Sequence, residues 1–301
     1  MLLSLSGLLV SFAAGLGLQR HPARERLVRI LWWVGFCVLG PLTAFYAFSV
    51  LTIDPSTVTL MAVVVATCWS ALAVGYLFGA LAGRDLRERA TLALPIAFWN
   101  TGYVGYVCAR LLWGQHGFTL MVFFDQIGFL VPAVVISTAI ARSHGTRAGS
   151  VAVRDFLRAL VINPPLAGVV AAVLVRLTGH QLALVTLGKA LAATVGPFGF
   201  LVLGLAVPLS GAVLAVGELR RALSALAVRY SVGPLLLLVW GSLLHVHVPG
   251  VFYLAALTPA AAHLLVLSRI FALRPAQMRL LVLGSTALTL AGVASAAALG
   301  G

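Results

Sequence analysis

Ten stretches of the chain are apolar enough, and nearly long enough, to read as helices that cross a bilayer. They fall at about 2–18, 27–50, 57–82, 91–112, 117–141, 157–178, 184–210, 222–244, 251–272 and 277–299. Each approaches the roughly 20 residues a helix needs to traverse the hydrocarbon. Lipid offers no partner to an open backbone group, so such runs predict helices. The expectation is an all-α integral membrane protein of ten transmembrane helices, with hydropathy spread over the whole chain and no soluble domain.

Two runs carry their own helix breakers. The fourth contains "LPIAFWNTGYVGY" at 94–106, with Pro95, Asn100, Thr101, Gly102 and Gly105. The ninth reads "LAALTPAAAHLL" at 254–265. Thr258 before Pro259 reads as a helix start, because Thr caps and Pro suits the first turn. Asn100 is likewise placed to cap a half-helix beginning near Thr101. Both breaks lie roughly 12–14 Å into their runs at 1.5 Å per residue. The N-terminal ends of the second half-helices would then face one central point and favour an anion.

Charge sets the orientation. With the N-terminus outside, sixteen arginines fall at the inner side, against Arg110, Arg176 and Lys189 near the outer side. The positive-inside rule selects this arrangement, which leaves both termini extracytoplasmic. The first run lacks a basic leader and reads as a retained span. The inner connection from Arg142 to Arg154 divides the chain into 1–145 and 146–301, five runs each. An odd number per half makes the halves inverted repeats. Gly40-Pro41 and Gly196-Pro197, and Pro95 and Pro259, echo one another across them.

Composition narrows the function. Hydrophobic residues make up 61% of the chain and charged residues 9%. The net charge of +13 sits in short connections rather than in a stripe, which argues against a nucleic-acid partner. Cys37, Cys68 and Cys108 stand singly in apolar runs and form neither a disulfide framework nor a zinc site. The only lysine is Lys189, and no Gly-rich phosphate loop is present.

"FWNTGYVGYVCARLLWG" followed by "VFFDQ" resembles the fourth and fifth helices of the auxin efflux carrier family. "LVINPPLAGVVAAVLV" resembles that family's Asn-Pro-Pro-Leu motif at its sixth helix. The resemblance implies two inverted five-helix repeats with crossed, broken fourth and ninth helices, an architecture shared with the bile-acid–sodium symporters. It implies transport of a small organic anion without a cofactor, and dimers. The positions that carry over are Asn100, Thr101 and Gly102 at the first crossover and Pro259 at the second. Trp99 stands where the plant carriers have Pro, and Val107 where many members have Pro, which implies a softer first break.

Ionisable residues at membrane depth mark pathways. Asp125 is a candidate carrier of a coupling proton or Na+, or a structural partner of Arg110. His263 lies one turn beyond Pro259 and is a candidate substrate contact. Arg229 could attract a carboxylate from the inner side, but the favoured expectation is that it snorkels to the inner interface, as Arg176 and Lys189 do to the outer one. His245 and His247 read as loop residues. Asn163, Pro164 and Pro165 read as the capped start of the sixth helix, preceded by an interfacial stretch "VRDFLRAL". Two other functions fit less of the sequence. A ten-helix carrier of the drug and metabolite transporter type matches the length but not the breaks. A lipid-modifying enzyme would need clustered acids or histidines in its spans.

Overall fold

The computed structural model of the chain describes residues 2–129, 135–146, 163–178, 182–207 and 214–299. Arg147, Arg154, Arg158 and the interfacial stretch over 153–160 lie outside the described residues. The described residues are almost entirely helical, with no strand among them. In chain order the helices are α1 (Leu2–Leu18), α2 (Arg24–Val34), α3 (Gly40–Val50), α4 (Pro55–Ala82), α5 (Leu86–Ala97), α6 (Tyr106–Phe124) and α7 (Ser137–His144). There follow α8 (Pro164–Thr178), α9 (Leu182–Ala206), α10 (Val216–Leu243), α11 (Gly250–Leu257), α12 (His263–Ile270) and α13 (Pro275–Leu299). Three π-helical stretches, Gly35–Leu39, Thr101–Gly105 and Asp125–Phe129, join or extend them.

Five helical stretches among the described residues are long and apolar enough to cross a membrane: Arg24–Val50, Pro55–Ala82, Val185–Ala206, Val216–Leu243 and Pro275–Ala296. Apolar side chains point outward as well as inward. Leu177 is 80% exposed and Leu81 79% exposed, a surface suited to lipid rather than water. The fourth and fifth apolar runs meet in α6, which reverses at Trp113 and Gly114, where Gly114 takes φ 62°. A left-handed residue without a Cβ makes that turn inexpensive.

Helix starts follow from local chemistry. Asp54 accepts the Thr57 N–H while Thr57 Oγ1 accepts the Asp54 N–H, with Pro55 in the first turn of α4. Asp85 accepts the Glu88 N–H at the start of α5.

Two compact units emerge from the packing. The first comprises Met1–Thr52, Gly102–Gln126 and Ile162–Val207. In it α1 packs on α9 and α3 on α8. The second contact depends on Gly168, where a Cβ would collide with the Pro41 carbonyl, and on Gly40, where it would meet the Pro165 ring at 2.8 Å. Small residues allow such backbone approach between helices that hydrophobicity alone does not drive together in lipid. Arg176, expected to snorkel outward, donates to the Phe48 and Leu51 carbonyls at 3.1 and 2.5 Å. The open C-terminal end of α3 offers it better partners than the interface does.

The second unit comprises Ile53–Thr101, Ile127–Val161 and Pro208–Gly301. Its α4 packs along α5, and α10 contacts both. Leu92 and Ile96 of α5 meet Ala222, Ala225 and Leu226 of α10 and Leu281 of α13 in a buried apolar cluster. At one end of these helices lies a charged network. The fully buried Glu88 carboxylate accepts from Arg221 at 2.8 Å, the Arg84 N–H at 3.0 Å and Gln277 at 3.2 Å. Arg274 bridges Asp85 and Glu218, so the starts of α5, α10 and α13 are tied together. Burial pushes the Glu88 carboxyl up, but the Arg221, Arg84 and Gln277 bonds outweigh it and hold it below its ordinary value. Burial also raises Asp85, and the Glu88 N–H and Arg274 together bring it below its ordinary value.

A carboxyl depressed on folding contributes stability above the unfolded pKa of about 4.3, and loses it as pH falls through the lowered folded value. The melting temperature in detergent is therefore expected to hold between about pH 7 and 5 and to fall below about pH 4. Glu88→Ala leaves Arg221 without its carboxylate and is expected to destabilise by about 3–5 kcal/mol. A melting curve unchanged by this variant would remove the network from the account of stability.

Candidate functional site

The two predicted breaks lie in the second unit and pair with each other. Helix α5 ends at Ala97 and α11 at Leu257, after which Phe98 and Thr258 turn to extended backbone. Trp99 and Ala260 then form an antiparallel bridge. The Asn100 N–H donates to the Pro259 carbonyl at 2.7 Å, and the Ala261 N–H to the Phe98 carbonyl at 3.0 Å. The Ala260 N–H, fully buried, donates to Ser285 Oγ on α13 at 3.0 Å. The small side chains of Ala260, Ala261 and Ala262 leave room for this approach.

The second break is longer than Thr258-Pro259 suggests. Helix α12 begins at His263, four residues beyond Pro259. The reason is competition for backbone groups. The Pro259 carbonyl and the Ala260 and Ala261 N–H groups serve the crossing instead of a helical ladder. Nor does Thr258 cap forward; its hydroxyl donates back to the Ala255 carbonyl at 2.8 Å. Helical backbone resumes at Thr101 after the first break, as a π-helical stretch through Gly105. Thr101 is 1% exposed. Asn100, 5% exposed as a residue, makes no side-chain hydrogen bond to another described residue, so it does not cap that stretch.

Arg229 departs most from expectation. It does not snorkel: it is 1% exposed, and it donates through Nη1 to the Ala256 carbonyl at 2.8 Å and through Nη2 to the Thr258 carbonyl. Its guanidinium lies over the Trp99 ring at 5.0 Å. Trp99 in turn donates from Nε1 to the Ile96 carbonyl at 2.8 Å. Gly233, one turn along α10, lets the ring in: a Cβ there would stand 3.0 Å from it. The open carbonyls at the end of α11 draw Arg229 inward, because a helix C-terminus is a partly negative acceptor site.

His263 sits beside the first break. Its ring meets Phe98 edge-on at 6.4 Å, and Nε2 lies 3.2 Å from Ser137 Oγ on α7. Thus Asn100, Thr101, Pro259 and His263 come together, and Trp99, Arg229 and Ser285 join them.

Asp125 belongs to a cluster in the first unit. Its carboxylate accepts from Tyr106 Oη at 2.7 Å and Gln126 Nε2 at 3.1 Å. Gly102 flanks it closely, since a Cβ at Gly102 would lie 3.7 Å from Oδ2. Arg110 is not its partner and instead covers the Phe118 ring at 5.9 Å. The buried Gln126 Oε1 has no donor among the described residues. A carboxylate beside an unused carbonyl-type acceptor suits a proton or a hard cation. In the same unit Asn163 caps α8, its Oδ1 accepting the Leu166 N–H at 3.3 Å, with Pro164 and Pro165 in the first turn.

Sequence reasoning missed Trp99 as a cap, Ser285 as a backbone partner, and Tyr106 and Gln126 around Asp125. The one legible signal was an arginine in the middle of an apolar run. Ser285→Ala strands the Ala260 N–H in an apolar interior and is expected to destabilise by about 1–3 kcal/mol, with faster amide exchange at Ala260. An unaltered unfolding midpoint together with unaltered exchange would mean that another acceptor serves this group. Neither a protein-family model nor a characterised protein matches the chain.

Proposed function

We propose that the chain is a secondary transporter, a permease or efflux carrier of a small organic anion of the carboxylate class, working by alternating access around the crossed breaks. The observation that carries this reading is the Trp99–Ala260 bridge, which joins two helices interrupted within apolar runs. Irregular backbone at membrane depth is tolerated where it is buried in protein or lines a path. Discontinuous helices of this kind build substrate sites in carriers. In this reading the chain forms ten transmembrane helices as inverted repeats 1–145 and 146–301, is similar to the auxin efflux carriers, and resides in a bacterial inner membrane with both termini extracytoplasmic. It is a carrier rather than an enzyme, and a homodimer is part of the proposal.

Asn100, Thr101, Gly102, Pro259 and His263 contact the cargo in this scheme. Asp125, with Tyr106 and Gln126, carries a coupling proton or Na+. The interrupted helices favour this reading over a carrier of the drug and metabolite type.

Uptake into proteoliposomes tests the proposal, with a panel of mono- and dicarboxylates and amino acids, with and without Na+, between pH 5.5 and 8. Asn100→Ala and Pro259→Ala are expected to reduce carboxylate uptake to background while the protein still inserts. Asp125→Asn is expected to abolish its dependence on pH or Na+. Undiminished uptake by both crossover variants would sink the site.

A further inference from the structure

Helix ends alone do not decide which sign of charge the crossing prefers. Two partly positive N-termini begin at Thr101 and His263, but two partly negative C-termini end at Ala97 and Leu257. At about half an elementary charge each, the four ends sum to roughly zero. Side chains must break the tie.

Two side chains cover the negative ends. Trp99 Nε1 occupies the Ile96 carbonyl of α5, and the Arg229 guanidinium occupies the Ala256 carbonyl and the Thr258 carbonyl just past α11. Arg229 also brings a full positive charge. It stands thirteen residues into α10, roughly 20 Å along its axis. No carboxylate among the described residues pairs with it: Asp85, Glu88 and Glu218 are engaged in the charged network, Asp54 caps α4, Glu25 stands in the first turn of α2, and Asp125 accepts from Tyr106 and Gln126, while Asp155 lies outside the described residues. A buried guanidinium with no carboxylate against it is costly, and ionisable groups at membrane depth mark function by default. Among the described residues the buried Arg229 Nε beside the crossing has no acceptor, and the Asn100 side chain bonds to none of them.

We infer that Arg229 is the specificity-determining residue of the crossing: its charge, paired with no carboxylate among the described residues, selects cargo bearing a carboxylate, and Trp99 holds it in place by stacking. This rests on the carrier reading above. Arg229 acts as a fixed counter-charge, so its removal changes which cargo is chosen, whereas loss of a mere fold-stabilising contact would weaken acids and neutral isosteres alike.

The experiment measures binding to the purified full-length protein by thermal shift, with matched pairs: benzoate and benzamide, succinate and succinamide, malonate and malonamide. The wild-type protein is expected to bind an acid at least about 10- to 100-fold more tightly than its amide, the worth of a hydrogen bond to a charged group. Arg229→Gln is expected to bring acid and amide to within about threefold. Arg229→Lys keeps the charge and should keep the preference at lower affinity. If Arg229→Gln does not fold, the wild-type pairs and Arg229→Lys decide the matter. Equal wild-type affinity for acid and amide, or an undiminished preference in folded Arg229→Gln, overturns the role of Arg229 and leaves the carrier reading standing. Failure of every acid to bind the wild-type protein removes the role of Arg229; carboxylate uptake by the same preparation then tells whether the carrier reading survives.

Discussion

Hydrocarbon supplies no hydrogen bonds, and this one constraint explains why the two breaks occur together. Interrupting a helix frees carbonyls on one side and N–H groups on the other. Here the freed groups satisfy each other. The N–H of Asn100 finds the carbonyl of Pro259, and the N–H of Ala261 finds the carbonyl of Phe98. Ser285, Trp99 and Arg229 serve what is left over. Either break alone would leave its polar groups stranded, so each is the condition of the other.

Described charges are held in two ways. Asp85, Glu88 and Glu218 tie helix starts together through arginines. Asp125 and Arg229 differ from these, and each keeps unlike company. Asp125 takes a phenol and an amide, whereas Arg229 takes two backbone carbonyls and an indole face.

Much of the helical layout was legible from periodicity and length, because apolar runs of this size admit little else in lipid. The positions of the breaks were legible too, since Asn100-Thr101-Gly102 and Thr258-Pro259 disrupt helices for local reasons. What followed the breaks was not. The delay of α12 to His263 depends on partners from Phe98, Asn100 and Ser285, and no local rule supplies those. Arg229 was misread because snorkelling is decided by the nearest good acceptor. Here that acceptor lies 27 to 29 residues away in sequence. The Glu88–Arg221 pair spans 133 residues and leaves no trace in any window.

Helix α5 is a strut of twelve residues, about 18 Å long. One end is pinned by Asp85 and Glu88 to the starts of two other helices, and the chain leaving its other end is laced to the segment around Pro259. A rod held at both extremities transmits displacement instead of absorbing it. Tilting at the crossing therefore loads the ionic collar, and loosening the collar slackens the crossing.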